Sequence, residues 1–144
     1  ELNQIPVYNC ENINSKESAN FIKSLQPELL ISAYFPQILK APVIALPKVG
    51  VLNLHPGWLP NYKGAMAYFR VLEQEDIRGG VSVHWIDEGI DTGPLIARKS
   101  FLLKRKMTQE HVMVLSAFIG AGLLRRIGTQ LSNHNCIKLI EIKH

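Results

Sequence analysis

Cysteine is scarce in this chain, and what there is sits in the wrong places for chemistry. The 144 residues contain two, Cys10 and Cys136, far apart and without the close spacing that a zinc site or a disulfide framework uses, so no metal is expected and both read as reduced thiols. Long apolar runs are scarce too. The most apolar uncharged stretch, Val112 to Leu124, falls short of the roughly 20 residues that a membrane span needs, and the N-terminus lacks the basic-then-apolar pattern of a signal peptide. A soluble, cytoplasmic protein with no membrane partner is the expectation. Internal repeats, low-complexity segments and a Pro/Gly/Ser-rich linker are likewise missing, which favours one domain over residues 1–144. An initiator methionine is also missing, since the chain begins at Glu1.

What is present is an ordinary supply of core-forming residues, 47% hydrophobic, enough for one core that buries roughly two-thirds of the unfolded surface. The net charge of +4 comes partly from Lys104-Arg105-Lys106 and Arg125-Arg126; each cluster reads as a solvated basic face, and the overall balance suits an anionic partner. Strand-like and helix-like segments alternate, the pattern of an α/β layer fold. Ile5 to Tyr8 reads as a short edge strand. Asn14 or Ser15 caps a helix with Phe21, Ile22 and Leu25 on its inner face, ended by Pro27. "ELLISAYF" and "VGVLNLH" have too little alternation for solvent-facing strands and read as strands of a parallel sheet buried on both faces. The prolines of "PQILKAPVIALP" leave room only for a short, interrupted helix. A helix is expected over Ala65 to Glu75. Two further strands, "GVSVHWID" and "PLIARKSF", are joined by the loop "EGIDTG". Thr108 caps a long closing helix carrying Val112, Leu115, Ile119, Leu123, Ile127 and Leu131 at helical spacing, and "CIKLIEIK" is a last edge strand.

Asn53 and His55 stand two apart at the end of a strand, so their side chains project to the same side, at the carboxyl edge where open α/β sheets bind ligands. An amide there can donate to a developing oxyanion, and an imidazole can donate or move a proton near neutral pH. A strand-end Asn and His that simply satisfy loop backbone is the plainer role, and the spacing alone favours it. Asp91, set between Ile90 and Thr92-Gly93, is a carboxylate that would need a partner if buried, His55 being a natural one; an Asx turn closing the loop explains it equally well. His84 alternates inside its strand and reads as a packed or surface histidine. His111, His134 and His144 carry no spacing signal.

"NLHPGWLPNYKG", followed about one helix later by "GVSVHWIDEGIDTGPLI", resembles the catalytic domain of the folate-dependent formyltransferases, which act on glycinamide ribonucleotide, methionyl-tRNA and nucleotide sugars or hydrolyse formyltetrahydrofolate. The joint pattern, Asn-x-His-Pro, Leu-Pro-x-Tyr-basic-Gly and Asp-x-Gly-Pro, is specific, and the similarity extends through "PELLISAYFPQIL" and "MTQEHVMVLSAFIGAGLLRRI". The resemblance implies a Rossmann-like open, mostly parallel sheet with helices on both faces, and elements of the family domain ahead of the segment equivalent to Glu1. It implies that Asn53, His55 and Asp91 are catalytic, that Gln37, Ile38, Leu39, Asp87, Glu88 and Ile90 line a folate pocket largely through backbone groups, and that Lys63, Gly64 and Met66 meet the acceptor. Lys63 stands where arginine is common, which keeps the charge and loses the planar donor fork.

The activity so implied is transfer of a formyl group from 10-formyltetrahydrofolate to a primary amine of a small molecule, a nucleotide sugar or an aminoacyl-tRNA. Neither a metal nor a covalent intermediate is called for. A formyltetrahydrofolate hydrolase using the same three residues, or a folate-binding fragment without catalysis, is the alternative, and self-association is left open.

Overall fold

The computed structural model describes residues 7–134. In chain order its elements are α1 (Lys16–Ser24), β1 (Leu29–Ala33), α2 (Ala41–Ile44), β2 (Gly50–His55), α3 (Ala67–Glu73), β3 (Arg78–Trp85), β4 (Leu95–Leu102) and α4 (Gln109–His134). The strands form one open sheet in the order β1-β2-β3-β4. The expected open α/β sheet is what forms, and among the described strands it is mixed: β1 and β2 are parallel, while β2–β3 and β3–β4 are antiparallel. For the last pair the reason is local. The loop 86–94 is too short for the crossover of a dozen or more residues that a parallel return requires.

Local signals place most boundaries. Ser15 caps α1 by accepting a hydrogen bond from the Ser18 amide at 3.1 Å, one of the orphan donors of a first helical turn. Pro42 in the first turn of α2 and the flanking Pro36 and Pro47 keep that helix to a single turn, because each proline removes a backbone donor. Thr108 opens α4, its Oγ1 accepting from the His111 amide. The expected strand at Ile5 to Tyr8 begins outside the described residues, and Val7 and Tyr8 belong to no strand; the expected strand "CIKLIEIK" lies outside them entirely. Cys10 is a free, exposed thiol.

Two expectations about burial are overturned. The apolar side of α1 buries no residue, Phe21 and Leu25 both remaining exposed. β1 is not covered on both faces either. It is the edge of the described sheet, and Ile31 is 54% exposed. The core lies further in, where Leu52 and Leu54 of β2, Val81 and Val83 of β3, and Ile96 and Ala97 of β4 meet Leu123 and Ile127 of α4. Gly120 lets α4 come this close: a Cβ there would lie 2.5 Å from Leu54 Cδ1. By length and composition the Gln109–Leu131 stretch of α4 would suffice to cross a bilayer, a longer apolar segment than the uncharged run ending at Leu124, because it spans Arg125 and Arg126. In this fold its Val112, Leu123 and Ile127 stripe is buried and the opposite side, with Phe118 80% exposed, is bare.

Candidate active site

Alternation in β2 and β3 separates two kinds of side chain. Leu52, Leu54, Val81 and Val83 belong to the core cluster with α4, so the residues between them, Asn53, His55, Ser82 and His84, project to the other face. The antiparallel register sets Asn53 opposite His84 and His55 opposite Ser82. Cross-strand partners share a face, and so an amide, two imidazoles and a hydroxyl are gathered on one small patch.

The loop after β2 is braced onto this patch. Ser82 Oγ donates to the Gly57 carbonyl at 2.7 Å and accepts from the Leu59 amide at 3.1 Å. Arg98 of β4 donates to the Leu59 carbonyl and lies over the Trp58 ring, 4.0 Å from its centroid. Gly57 is required by space: a Cβ there would sit 2.7 Å from His55 Nε2 and 2.9 Å from Ala67 Cβ. In the loop after β3 the Asx turn is made by Asp87, whose Oδ1 accepts from the Gly89 amide at 3.0 Å and from Thr92 Oγ1 at 2.6 Å. That leaves the Asp91 carboxylate for another use. Asp91 itself takes a left-handed backbone, φ 50°, and Gly93 passes so close to the Trp85 carbonyl that a Cβ would be 1.9 Å from its oxygen.

Asp91 is the hub of the patch. Its Oδ2 accepts from the Gly64 amide at 2.7 Å and lies 3.3 Å from His55 Nδ1. Its Oδ1 accepts from Asn53 Nδ2 at 3.2 Å and lies 3.3 Å from His84 Nε2, while Asn53 Nδ2 is also 3.1 Å from His84 Nε2. The far nitrogen of each ring meets a backbone carbonyl: His55 Nε2 is 2.7 Å from Tyr62 O, and His84 Nδ1 is 2.6 Å from Trp85 O. Carbonyl oxygens only accept, so those two nitrogens carry protons. Burial alone would raise the Asp91 carboxyl, but His84 and His55, which favour the carboxylate when their rings carry a second proton, and the Gly64 amide outweigh it and hold the pKa down at about 2. His55 moves downward as well. Burial favours its neutral form more strongly than the Asp91 charge and the Tyr62 carbonyl favour the charged one.

A cleft of about 600 Å³ opens over the hub. Of the residues expected at a ligand, Asn53, Asp91, Gln37, Ile38, Leu39, Asp87, Ile90, Gly64 and Met66 line it. His55, Lys63 and Glu88 do not. His55 is 4% exposed and covered by the Tyr62 carbonyl, Lys63 uses its own carbonyl to accept from Arg70, and Glu88 is exposed beside the cleft. The Gln37 side chain is spent on structure, bonding the Ile13 amide and the Glu11 carbonyl, and Asn14 holds the Ile38 carbonyl and the Lys40 amide. Sequence reasoning missed His84, 2% exposed and in contact with both Asn53 and Asp91. The signal was available in "VSVHW", where Ser82 and His84 alternate against two valines, but only the strand pairing brings them to Asn53 and His55.

The formyl transferase family model matches residues 3–124, and the chain belongs to this family. It is 38% identical over 118 residues to a methionyl-tRNA formyltransferase from Methylacidiphilum infernorum, covering 82% of this chain and 37% of that protein. It thus spans well under half the length of such relatives. Among solved structures, a phosphoribosylglycinamide formyltransferase from Campylobacter jejuni superimposes with a TM-score of 0.67 at 30% identity, covering 83% of this chain and 65% of that one. An N-formyltransferase from Helicobacter canadensis, in complex with folinic acid and dTDP-3-aminofucose, superimposes with a TM-score of 0.68 at 25% identity, covering 79% and 41%.

Proposed function

We propose that this chain houses the centre at which a formyl group passes from 10-formyltetrahydrofolate to a primary amine, with Asn53, His55 and Asp91 as its catalytic residues. The observation that carries the reading is the Asp91 carboxylate, which bonds the Asn53 amide on one oxygen and faces the His55 imidazole on the other, at the floor of a cleft. The donor set suits a folate. Ile38, Leu39, Ile86 and Ile90 offer apolar walls, and the backbone around Asp87 to Ile90 offers polar edges for a flat heterocycle, in a cleft of ordinary small-ligand size. Such relatives include a protein crystallised with folinic acid.

When bound, 10-formyltetrahydrofolate supplies the formyl group, whose carbon bonds to the amine nitrogen as its bond to N10 breaks. The chain's part is electrostatic and protonic. An N–H of Asn53 is suited to the negative charge that builds on the formyl oxygen. The amine acidifies as it forms its new bond, and the ionised Asp91 accepts or relays the released proton, which ends on the departing N10. His55, with Nδ1 against the same carboxylate and Nε2–H held by the Tyr62 carbonyl, carries that one proton in transit as an imidazolium before it passes on to N10. The net charge of +4 agrees with anionic ligands.

The test is a tetrahydrofolate-release assay with 10-formyltetrahydrofolate and, in turn, glycinamide ribonucleotide, methionyl-tRNA and a dTDP-linked amino sugar, alongside a reaction without acceptor that is read for formate. Amine-dependent release supports transfer. Formate release independent of every amine replaces it with hydrolysis, and failure to bind the folate at all overturns the reading.

A further inference from the structure

We propose that His84 is a positioning residue that aims the Asn53 amide, turning one of its N–H bonds onto the Asp91–His84 pair and the other into the cleft. The inference rests on the formyl-transfer reading of the site. His84 begins with a fixed polarity. Its Nδ1 is committed as a donor to the Trp85 carbonyl at 2.6 Å, so in the neutral form of the ring Nε2 offers only a lone pair. That lone pair faces Asn53 Nδ2 at 3.1 Å and Asp91 Oδ1 at 3.3 Å. Two acceptors so close repel unless a hydrogen lies between them, and the Asn53 amide supplies it. The amide is thereby oriented nitrogen-inward, since its carbonyl oxygen in that place would be a third acceptor.

The geometry then fixes where the second hydrogen goes. Asn53 Nδ2, His84 Nε2 and Asp91 Oδ1 form a nearly equilateral triangle with sides of 3.1, 3.2 and 3.3 Å. The two acceptors subtend roughly 60° at Nδ2, about half the roughly 120° between the N–H bonds of a planar amide. They cannot each take a separate, well-aligned hydrogen. One N–H points between them and serves both, and the other is left for the cleft that Asn53 lines. With Asp91 alone as acceptor, the shared N–H would turn onto the line to Oδ1, by roughly 30°, and carry the free N–H with it; hydrogen bonds weaken steeply with such misalignment. The strand pairing holds the partners in place, because His84 sits directly opposite Asn53 in the β2–β3 ladder, beside an irregularity at Val83/His84 in the β3–β4 pairing.

Two variants and two readouts test this. His84→Leu fills the same buried space without a nitrogen, and His84→Gln restores a polar atom near the Nε2 position. The expected result is a kcat lower by about 100-fold in His84→Leu, the scale of a misplaced catalytic group, with KM for 10-formyltetrahydrofolate within a few-fold of the parent and most of the loss recovered in His84→Gln. Nitrogen-15 and proton NMR of the unliganded chain supplies a readout independent of activity. His84 should appear as the Nδ1–H form, and one carboxamide proton of Asn53 should exchange with water much more slowly than its twin, a difference that His84→Leu abolishes. If the parent forms no product while these NMR signatures hold, the functional reading fails and the positioning inference stands. Equal exchange of the two Asn53 protons in the parent would overturn it, as would equal activity in His84→Leu and the parent, or a loss in His84→Leu and His84→Gln alike that follows only their melting temperatures.

Discussion

The two faces of β2 and β3 are made from the same dozen or so residues, taken alternately, and they do opposite things. On one face Leu52, Leu54, Val81 and Val83 are buried under α4 in contacts that need only shape. On the other, His55, Ser82 and His84 are just as deeply buried and Asn53 partly so, yet every one of them is tied to a polar partner. Burial alone therefore does not separate core from site. What separates them is that the polar face carries donors and acceptors aimed at one carboxylate and at the loop after β2, which is expensive to assemble in a low-dielectric setting and stable only when its members are satisfied. The apolar face supplies the rigidity that this needs.

The most damaging single change to the polar face is expected at Asn53. Asn53→Ala removes a donor from the hub and leaves the strand intact, so turnover should fall by about 100- to 1,000-fold, roughly 3 to 4 kcal/mol of transition-state stabilisation, with folate affinity nearly unchanged. Steady-state kinetics alongside a folate titration reads both. Activity within a few-fold of the parent would mean that the amide is only structural. The apolar face should answer the complementary change differently. Leu52→Ala, at a residue 1% exposed, should destabilise folding by about 3 kcal/mol through lost contacts and a cavity, measured by urea unfolding, while the rate per folded molecule stays within a few-fold. A large rate loss there would show that the two faces are not independent.

A smaller effect is expected from pH, and it belongs to the polar face alone. His55 is shifted downward, so the unfolded chain binds its proton more readily than the folded one does. Its contribution to stability is complete above the unfolded value of 6.5 and declines as pH falls below that toward the folded pKa. Asp91, held at about 2 against 3.8, adds a contribution that is present above 3.8 and is lost as pH falls through about 2. Denaturation midpoints should thus be flat from pH 7 to 8 and begin to fall just below 6.5, with His55→Gln removing the upper part of that fall. Because the Asp91 charge pulls the His55 pKa upward against burial, Asp91→Asn should lower it further, and an NMR titration that finds His55 unmoved would separate the two residues.

The same contrast explains how far the sequence could be read. Asn53, His55 and Asp91 were legible through the joint motif pattern and the resemblance it carries; spacing alone favoured a plainer role for the first two and left an Asx turn equally good for the third. Their assembly depends on one pairing that local patterns also suggest. His84 was not legible as part of the site, since judged within its own strand it is one histidine alternating with valines, and only the register opposite Asn53 gives it a partner. The covering of His55 by the Tyr62 carbonyl was equally hidden, because it is set by the path of a loop rather than by a side chain. Burial of β1 was misjudged for a related reason. An apolar run reports how much a segment would gain from being covered, but whether something covers it depends on neighbours elsewhere in the chain or outside it.

That last point yields the smallest effect and the sharpest control. Ile31 and Leu52 are partners in the parallel β1–β2 ladder, and ladder partners share a face, yet one is 54% exposed and the other 1%. If exposure sets the energetics, Ile31→Thr should change little. Threonine keeps the β-branched shape that suits an extended backbone, and an ethyl branch exchanged for a hydroxyl at a half-exposed position leaves the hydroxyl within reach of water. Substitutions of this kind are usually within about 0.5 kcal/mol of neutral, against about 3 kcal/mol for Leu52→Ala. Urea unfolding of the two variants side by side decides it. A loss for Ile31→Thr as large as that for Leu52→Ala would mean that this face of β1 is covered in solution, and that the two ladder partners differ less than their exposures indicate.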